Sequence, residues 1–472
     1  MSVVSLRRAL SVLAGTALIL ACGCTGRTGD VAETNNDVDA GDNQNDDQVQ
    51  PPHDGGTTSD AAFVEVPDPL SGDNPTYPLE SVAAPGPGES VYDSRLGTTQ
   101  TRVVETLKLR HEYSRYDTFN LDQSMILLLD FDEGDFRVYR TDSVPYDQAE
   151  NLVTTLSVEE PRWDPNDPHQ VWGISELQVV TTDVVAGETA TAKDFTDDPV
   201  IGPIITANPD LYRVTRQYEG EASIDMRYWA FILQGTQEDY RARYLFTWDR
   251  EKDEILGLYE LSAEESVIDW VGMSPLGNWV IIGGDYDNGG NIGPGLRIVN
   301  REFTSPFYQL AHATAHADVG LDTDGNEVIV MQNTQTDHVE LFPLEPDADP
   351  VPLMILFYDA DSPLGFSGGI HVSCNMPGYC IVSTEVDAAA PEQNWFDRMI
   401  TLVELDRNNP RVFYLAKVYG STGAYWEETQ ATITNDGTKV IWATNWSENV
   451  GDEDVWVMEL DMPANWTATL AD

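Results

Sequence analysis

Beyond Gly97 the apolar residues fall in short runs separated by turn residues, a pattern of β-strands, and helical spacing is scarce. Four stretches share one order: "DWVGMSPLGNWVIIGG", "HADVGLDTDGNEVIVMQ", "HVSCNMPGYCIVST" and "QATITNDGTKVIWATN". Each has a polar start, a turn at Gly277, Gly325, Gly378 or Gly437, and then a hydrophobic strand. Weaker copies are "YSRYDTFNLDQSMILLLD", "EPRWDPNDPHQVWGIS" and "EASIDMRYWAFILQ". A further strand often follows, as in "DFRVYR", "RYLFTWDR", "MITLVELDR" and "DVWVMELD". The turns return every 45 to 60 residues or so, roughly the length of a four-stranded propeller blade with its loops. The pattern therefore predicts an all-β fold, a single β-propeller of about seven four-stranded blades over residues 91–472. Six or eight blades stay open, because the units near Trp163 and Met226 are degenerate. "TRVVETLKL" (Thr101 to Leu109) precedes the first unit and is expected to supply the outer strand of the last blade, closing the ring.

The start of the chain breaks this pattern. Arg7 and Arg8 are followed by an apolar run from Ala9 to Ala21, too short to span a bilayer comfortably and of signal-peptide length. Ile19-Leu20-Ala21-Cys22 resembles the lipobox of bacterial lipoproteins, which implies a signal peptide over 1–21 and a lipidated Cys22. Cys24 is the fallback, and a cleaved signal without lipid is the alternative. Residues 22–90 are rich in Asp, Asn, Gly and Pro and read as a disordered acidic tether, with His53 inside it. The expected location is the bacterial cell envelope, with membrane attachment through the lipid alone.

Charge narrows the partners. The 472 residues carry 80 acidic and 26 basic side chains, a formal net charge of -54. Such a surface repels phosphate backbones, so nucleic acid is excluded as a partner. An envelope protein or a glycan is expected instead.

"ITNDGTKVIWATNWSENVGDEDVWVMELD" resembles the repeat of TolB-type β-propellers, and "MSPLGNWVIIGG" is the same unit with Leu276 in place of the Asp. The stretches "HEYSRYDTFN", "HATAHADVGLDTDGNEV" and "AYWEETQATITNDG" also resemble a family of secreted bacterial propellers without an assigned activity. The resemblance implies a propeller whose first strands line a central channel. Equivalent positions on those strands, seven before the turn glycine, are Trp270, Asp318, His371 and Gln430, with Tyr116 comparable in the first unit. His316, Asp318, His371 and Gln430 are the candidate metal set, for manganese, zinc or calcium. Tyr116, Trp270, Trp426 and Glu428 are the candidate ligand contacts. The plainer reading gives each blade one polar residue that hydrogen-bonds its neighbour. His312 and His316 lie four apart, but in a strand-and-turn context that spacing has little force; His312, His169 and His338 read as loop residues, and His111 as a candidate for the rim.

Cys374 and Cys380 flank Pro377-Gly378 in a hairpin and are either a disulfide or two packed thiols. Catalysis has one candidate. Oligogalacturonate lyases are also propellers, and the similarity implies that His371 and Gln430 match parts of their metal site. The paired histidines expected beside the glutamine are absent, with Ala431 and Thr432 there instead. A binding module comes first, a metal-dependent lyase second and a structural envelope protein third. "DTDGNE" (Asp322 to Glu327) and "DYDNGGN" (Asp285 to Asn291) read as turns, since neither has the spacing of a calcium loop.

Overall fold

A computed structural model describes residues 63–471 apart from 236–239, 266, 285–289, 313–315, 334, 357–368, 385–393, 421–423 and 447–452. The signal peptide, Cys22 and the first part of the expected tether lie outside the described residues. Asn465–Asp472 group with Met1–Ala62 in a separate unit, of which the short helix Trp466–Ala471 is described. Among the described residues no helix is long and apolar enough to cross a membrane.

Phe63–Ala464 form a seven-bladed β-propeller of antiparallel sheets. Blade 1 starts at Leu109–Arg110, blade 2 at Glu159–Trp163 and blade 3 at Arg213–Thr215. Blades 4 to 7 start at Ile268–Met273, Ala317–Leu321, Ile370–Ser373 and Thr432–Ile433. The core sits between blades: Trp172, Ile174, Phe231 and Trp248 join blades 2 and 3, and Ile281, Ile298, Ile329 and Met331 join blades 4 and 5. Both faces of each sheet are thus covered, which is why the strands read as continuous apolar runs such as Met125–Leu129.

The ring is closed by the N-terminal segment. Thr98–Arg102 pairs with Trp456–Asp461 of blade 7 (Thr101 opposite Glu459, Arg102 opposite Met458), and Ser90–Asp93 adds a fifth strand. This closing strand lies a few residues before the expected Thr101–Leu109. Val103 and Val104 instead turn into the core between blades 7 and 1, and Leu109 begins blade 1. Phe63–Ser90, expected in the tether, packs on the propeller. Val64 and Glu65 pair with Tyr414 and Phe413 at the edge of blade 6, Val66 is buried, and Tyr77 meets Tyr414 edge-on at 4.9 Å. The acidic, proline-rich composition of this stretch hides the few apolar side chains that dock it.

The turn glycines bear out the hairpin reading in two ways. Gly325 has φ +81° with open space around it, so backbone conformation alone calls for glycine. Gly277 has φ +73°, and a Cβ there would also collide with the Tyr228 ring of blade 3. Replacing Gly325 by Ala is expected to cost about 1–2 kcal/mol, the left-handed penalty alone. Gly277→Ala is expected to cost about 1–3 kcal/mol more, through overpacking. Urea unfolding of the two variants measures the difference.

Candidate functional site

The inner strand of blade 1 is interrupted. Arg110 pairs with Leu129, and Leu127 donates to the Thr118 carbonyl, so His111–Asp117 stand opposite Leu128 alone. The surplus forms a loop, and its side chains reach the six other blades. Glu112 accepts from Arg162 of blade 2 (2.6 Å), and Arg115 donates to Glu219 of blade 3 (2.9 Å). The Arg115 guanidinium also lies 4.4 Å from the Trp270 ring of blade 4. The Tyr113 hydroxyl meets His316 Nδ1 of blade 5 at 3.1 Å, and its ring stands edge-on to His371 of blade 6 at 5.4 Å. His111 Nε2 meets the Gln430 carbonyl of blade 7 at 2.5 Å. This loop plugs the channel.

Blade 3 repeats the device. Thr215 pairs with Ile232 and Ser223 donates to the Tyr228 carbonyl, leaving Arg216–Ala222 opposite Trp229–Phe231. Gln217 and Tyr218 take positive φ there, and Glu160 does so in blade 2. Glu160 is fully buried and is held by Arg216 Nε (2.8 Å), the Thr215 hydroxyl (2.6 Å) and the Arg216 amide (2.9 Å). Burial pushes its carboxyl up, but Arg216 and these donors bring it below the ordinary value. Arg213 pairs with Glu159 at 3.1 Å. Arg110, also buried, donates to the Trp426 and Glu428 carbonyls and to Gln430 Oε1 (2.8 Å).

At the front face, where the inner strands start, two imidazoles face each other. The His316 and His371 rings are 4.3 Å apart, and His371 Nε2 lies 2.8 Å from Glu428 Oε2. Burial holds both histidines down to about 3; the positive form of His371 also repels His316, and Arg110 and Arg115 disfavour it on His371. Both are therefore neutral. A carboxylate only accepts, so the proton of His371 sits on Nε2, leaving a buried Nδ1 lone pair with no hydrogen-bond partner. Burial raises the Glu428 carboxyl, a rise opposed by the Gln430 amide and by Arg110. His316 and Glu428 are half-buried and thus reachable.

The expected residues divide. His316, His371 and Glu428 come together. Asp318 accepts the amides of Val319 (2.8 Å) and of Cys374 in blade 6 (2.6 Å), the blade-to-blade role of the plainer reading. Gln430 is buried with its amide oxygen on Arg110. Among the described residues no group of three or more His, Cys, Asp or Glu side chains is placed to hold a metal ion, so the expected four-residue set does not fit one as it stands. Tyr116, itself part of the plug, and Trp270 (2% exposed) are both buried, each beneath an arginine. Trp426 stacks on Phe131 at 5.3 Å, with its ring planes 8° apart. His111 is buried in the plug, while His312 and His169 are exposed and His338 is half-buried. Cys374 and Cys380 are joined as a disulfide. Asp322 accepts the Asp324 and Asn326 amides, closing its turn; much of Asp285–Asn291 lies outside the described residues.

Sequence reading missed Tyr113, Arg115, Glu112, Arg162, Arg216 and the glutamates around them. The one signal was the breakdown of strand alternation in "HEYSRYD" and "RQYEGEA".

No family model matches the chain, and no curated protein sequence matches it. Solved structures with the same fold include an oligogalacturonate lyase from Vibrio parahaemolyticus, at 14% identity and TM-score 0.51, covering 80% of this chain and 97% of that one. The Neurospora crassa Pan2 WD40 domain (11% identity, 74% and 89% covered, TM-score 0.40) and the RRP9 WD40 repeats (9%, 77% and 100%, 0.43) are more distant. At these identities the likeness is one of fold.

Two measurements probe the site. Arg216→Met strands the buried Glu160 carboxylate and is expected to cost about 3–5 kcal/mol in urea unfolding. His371, held near 3 when folded and close to 6.5 when unfolded, takes up its proton only in the unfolded chain between those values. Stability should therefore fall, relative to His371→Gln, by up to about 1.4 kcal/mol per pH unit as pH drops below 6.5. A flat difference between pH 7 and pH 4.5 would show that the imidazole is not held neutral.

Proposed function

We propose that the protein is an envelope-tethered binding module that takes a hydroxyl-rich glycan at the front mouth of its channel. The export signal and the lipid on Cys22 belong to this proposal. The observation that carries it is the pairing of His316 with Glu428 beside the plug. With the Tyr113 hydroxyl donating to His316 Nδ1, the neutral ring presents its Nε2 proton, and Nε2 has no partner among the described residues. Next to it stands Glu428, an acceptor fixed by His371. A donor and an acceptor side by side match neighbouring sugar hydroxyls, and the half-buried Tyr425 offers an aromatic face. Glu428 and Glu219 at this mouth, together with the net charge of -54, favour neutral sugars over uronates.

A second reading, uronate β-elimination, draws on the His371–Glu428 and Tyr113–His316 contacts. They supply a neutral base to remove the proton beside the carboxylate and a hydroxyl to protonate the leaving oxygen. Calorimetric titration with neutral and uronate oligosaccharides separates the readings. We expect binding of neutral sugars, weakened tenfold or more by His316→Ala and by Glu428→Ala, with no ultraviolet-absorbing unsaturated product. Binding that ignores both substitutions, or release of such product, would reverse the order.

A further inference from the structure

Behind the plug, at the face where the inner-strand turns lie, the structure holds a cavity of about 60 Å³ lined from five blades. Its walls combine apolar side chains, among them Ile224, Val319 and Leu321, with the polar Asn375 and Asn435. Its one ionisable wall residue is Glu221.

The charges around the channel show what is unusual about that residue. Arg115 pairs with Glu219, Arg162 with Glu112, Arg213 with Glu159 and Arg216 with Glu160. These pairs are one to one. Asp318 is held by two amides. The Glu221 carboxyl is the exception among the glutamates of blades 1 to 3 around the plug: among the described residues it makes neither a hydrogen bond nor an ion pair, and burial raises it, a rise that Arg162, Arg216 and Arg115 only oppose. An ionised carboxylate removed from water without a donor is costly, and a donor brought by a ligand relieves that cost.

We propose that this cavity receives the side chain of a lysine presented by a partner polypeptide, with its ammonium on Glu221 and its alkyl stem along the apolar side chains of the wall. Three observations select this occupant. A metal ion would need several oxygen ligands, and no such group exists among the described residues. The apolar side chains of the wall contribute nothing to a hydrated ion but shelter methylene groups, and a lysine stem is four of them. The cavity also opens beside exposed apolar side chains, Ile224 (50% exposed) and Leu276 (47%), brought together where the Ile224 amide donates to the Pro275 carbonyl (2.8 Å). Of this collar Leu276 is not part of the cavity wall, and it offers contact to residues flanking a lysine. A surface of net charge -54 steers a basic segment toward it.

The test uses the full-length protein and the peptide acetyl-Ala-Leu-Lys-Leu-Ala-amide, titrated calorimetrically at low salt. Binding is expected, weakened at least tenfold when norleucine replaces the lysine and at least tenfold by Glu221→Gln. Because Glu221 supports no pair, Glu221→Gln should melt no lower than the parent, which separates lost binding from lost fold. Leu276→Ser, outside the cavity wall, should weaken the peptide while leaving n-butylammonium unaffected. Equal binding of the norleucine peptide, or no effect of Glu221→Gln in a folded variant, would overturn the proposal. So would n-butylammonium binding as tightly as the peptide, which would make this a free-amine site.

Discussion

A charge cannot stay buried without a partner, and that constraint organises the centre of this propeller. Arg110, Arg115, Arg162, Arg213 and Arg216 are all buried, in a chain with only 26 basic residues. Four of them meet a glutamate carried on another blade, or on the plug, while Arg110 takes carbonyl and amide oxygens from blade 7. Desolvating such pairs offsets much of their attraction, so their main effect is on position rather than on net stability. Two of the pairs, Arg115–Glu219 and Arg162–Glu112, hold the loop His111–Asp117 in place. The loop in turn sets Tyr113 against His316 and His371. The geometry of the front mouth is thus a consequence of ion pairs formed deeper in the channel.

The same constraint explains the strained backbone. Glu160, Gln217, Tyr218 and Gln430 all adopt positive φ, and none is glycine. Left-handed residues of this kind cost about 1–2 kcal/mol each. Here they occur where the inner strands leave regular pairing so that a carbonyl or carboxylate can reach an arginine: Glu160 toward Arg216, Tyr218 through its carbonyl toward Arg162, Gln430 toward Arg110. The strain sits beside the contacts that over-determine it.

What was legible in the sequence follows the same division. The blades from Trp270 onward lack the long inner-strand insertions of blades 1 and 3, so the spacing of Gly277, Gly325, Gly378 and Gly437 exposed the fold directly. Seven blades closed by an N-terminal strand could be read from that spacing and from the apolar runs. Blades 1 to 3 looked degenerate because residues are inserted into their inner strands, and those insertions carry the plug and its arginines. Repeat logic assigns function to equivalent positions. The channel is instead built by inequivalent ones, so Tyr113, Arg115 and Arg216 had no counterpart to mark them. His371 and His316 were found because blades 5 and 6 obey the repeat. Asp318 and Gln430, at matching positions, proved to bond neighbouring blades or the buried Arg110.

A plug also changes what a propeller channel can do. An open channel would give both faces one continuous water-filled site, with the -54 charge acting along its length. Here Arg115, packed between Glu219 and the Trp270 ring, separates the neutral imidazoles of the front mouth from the Glu221 cavity behind it. Each side can then keep its own chemistry: hydrogen-bonding groups without net positive charge in front, one unshared carboxyl group behind. Low dielectric around the plug strengthens its own pairs, and the arginine charges they neutralise no longer reach either mouth at full strength. Two faces of a strongly acidic protein can thereby differ in what they recognise although they share one ring of strands.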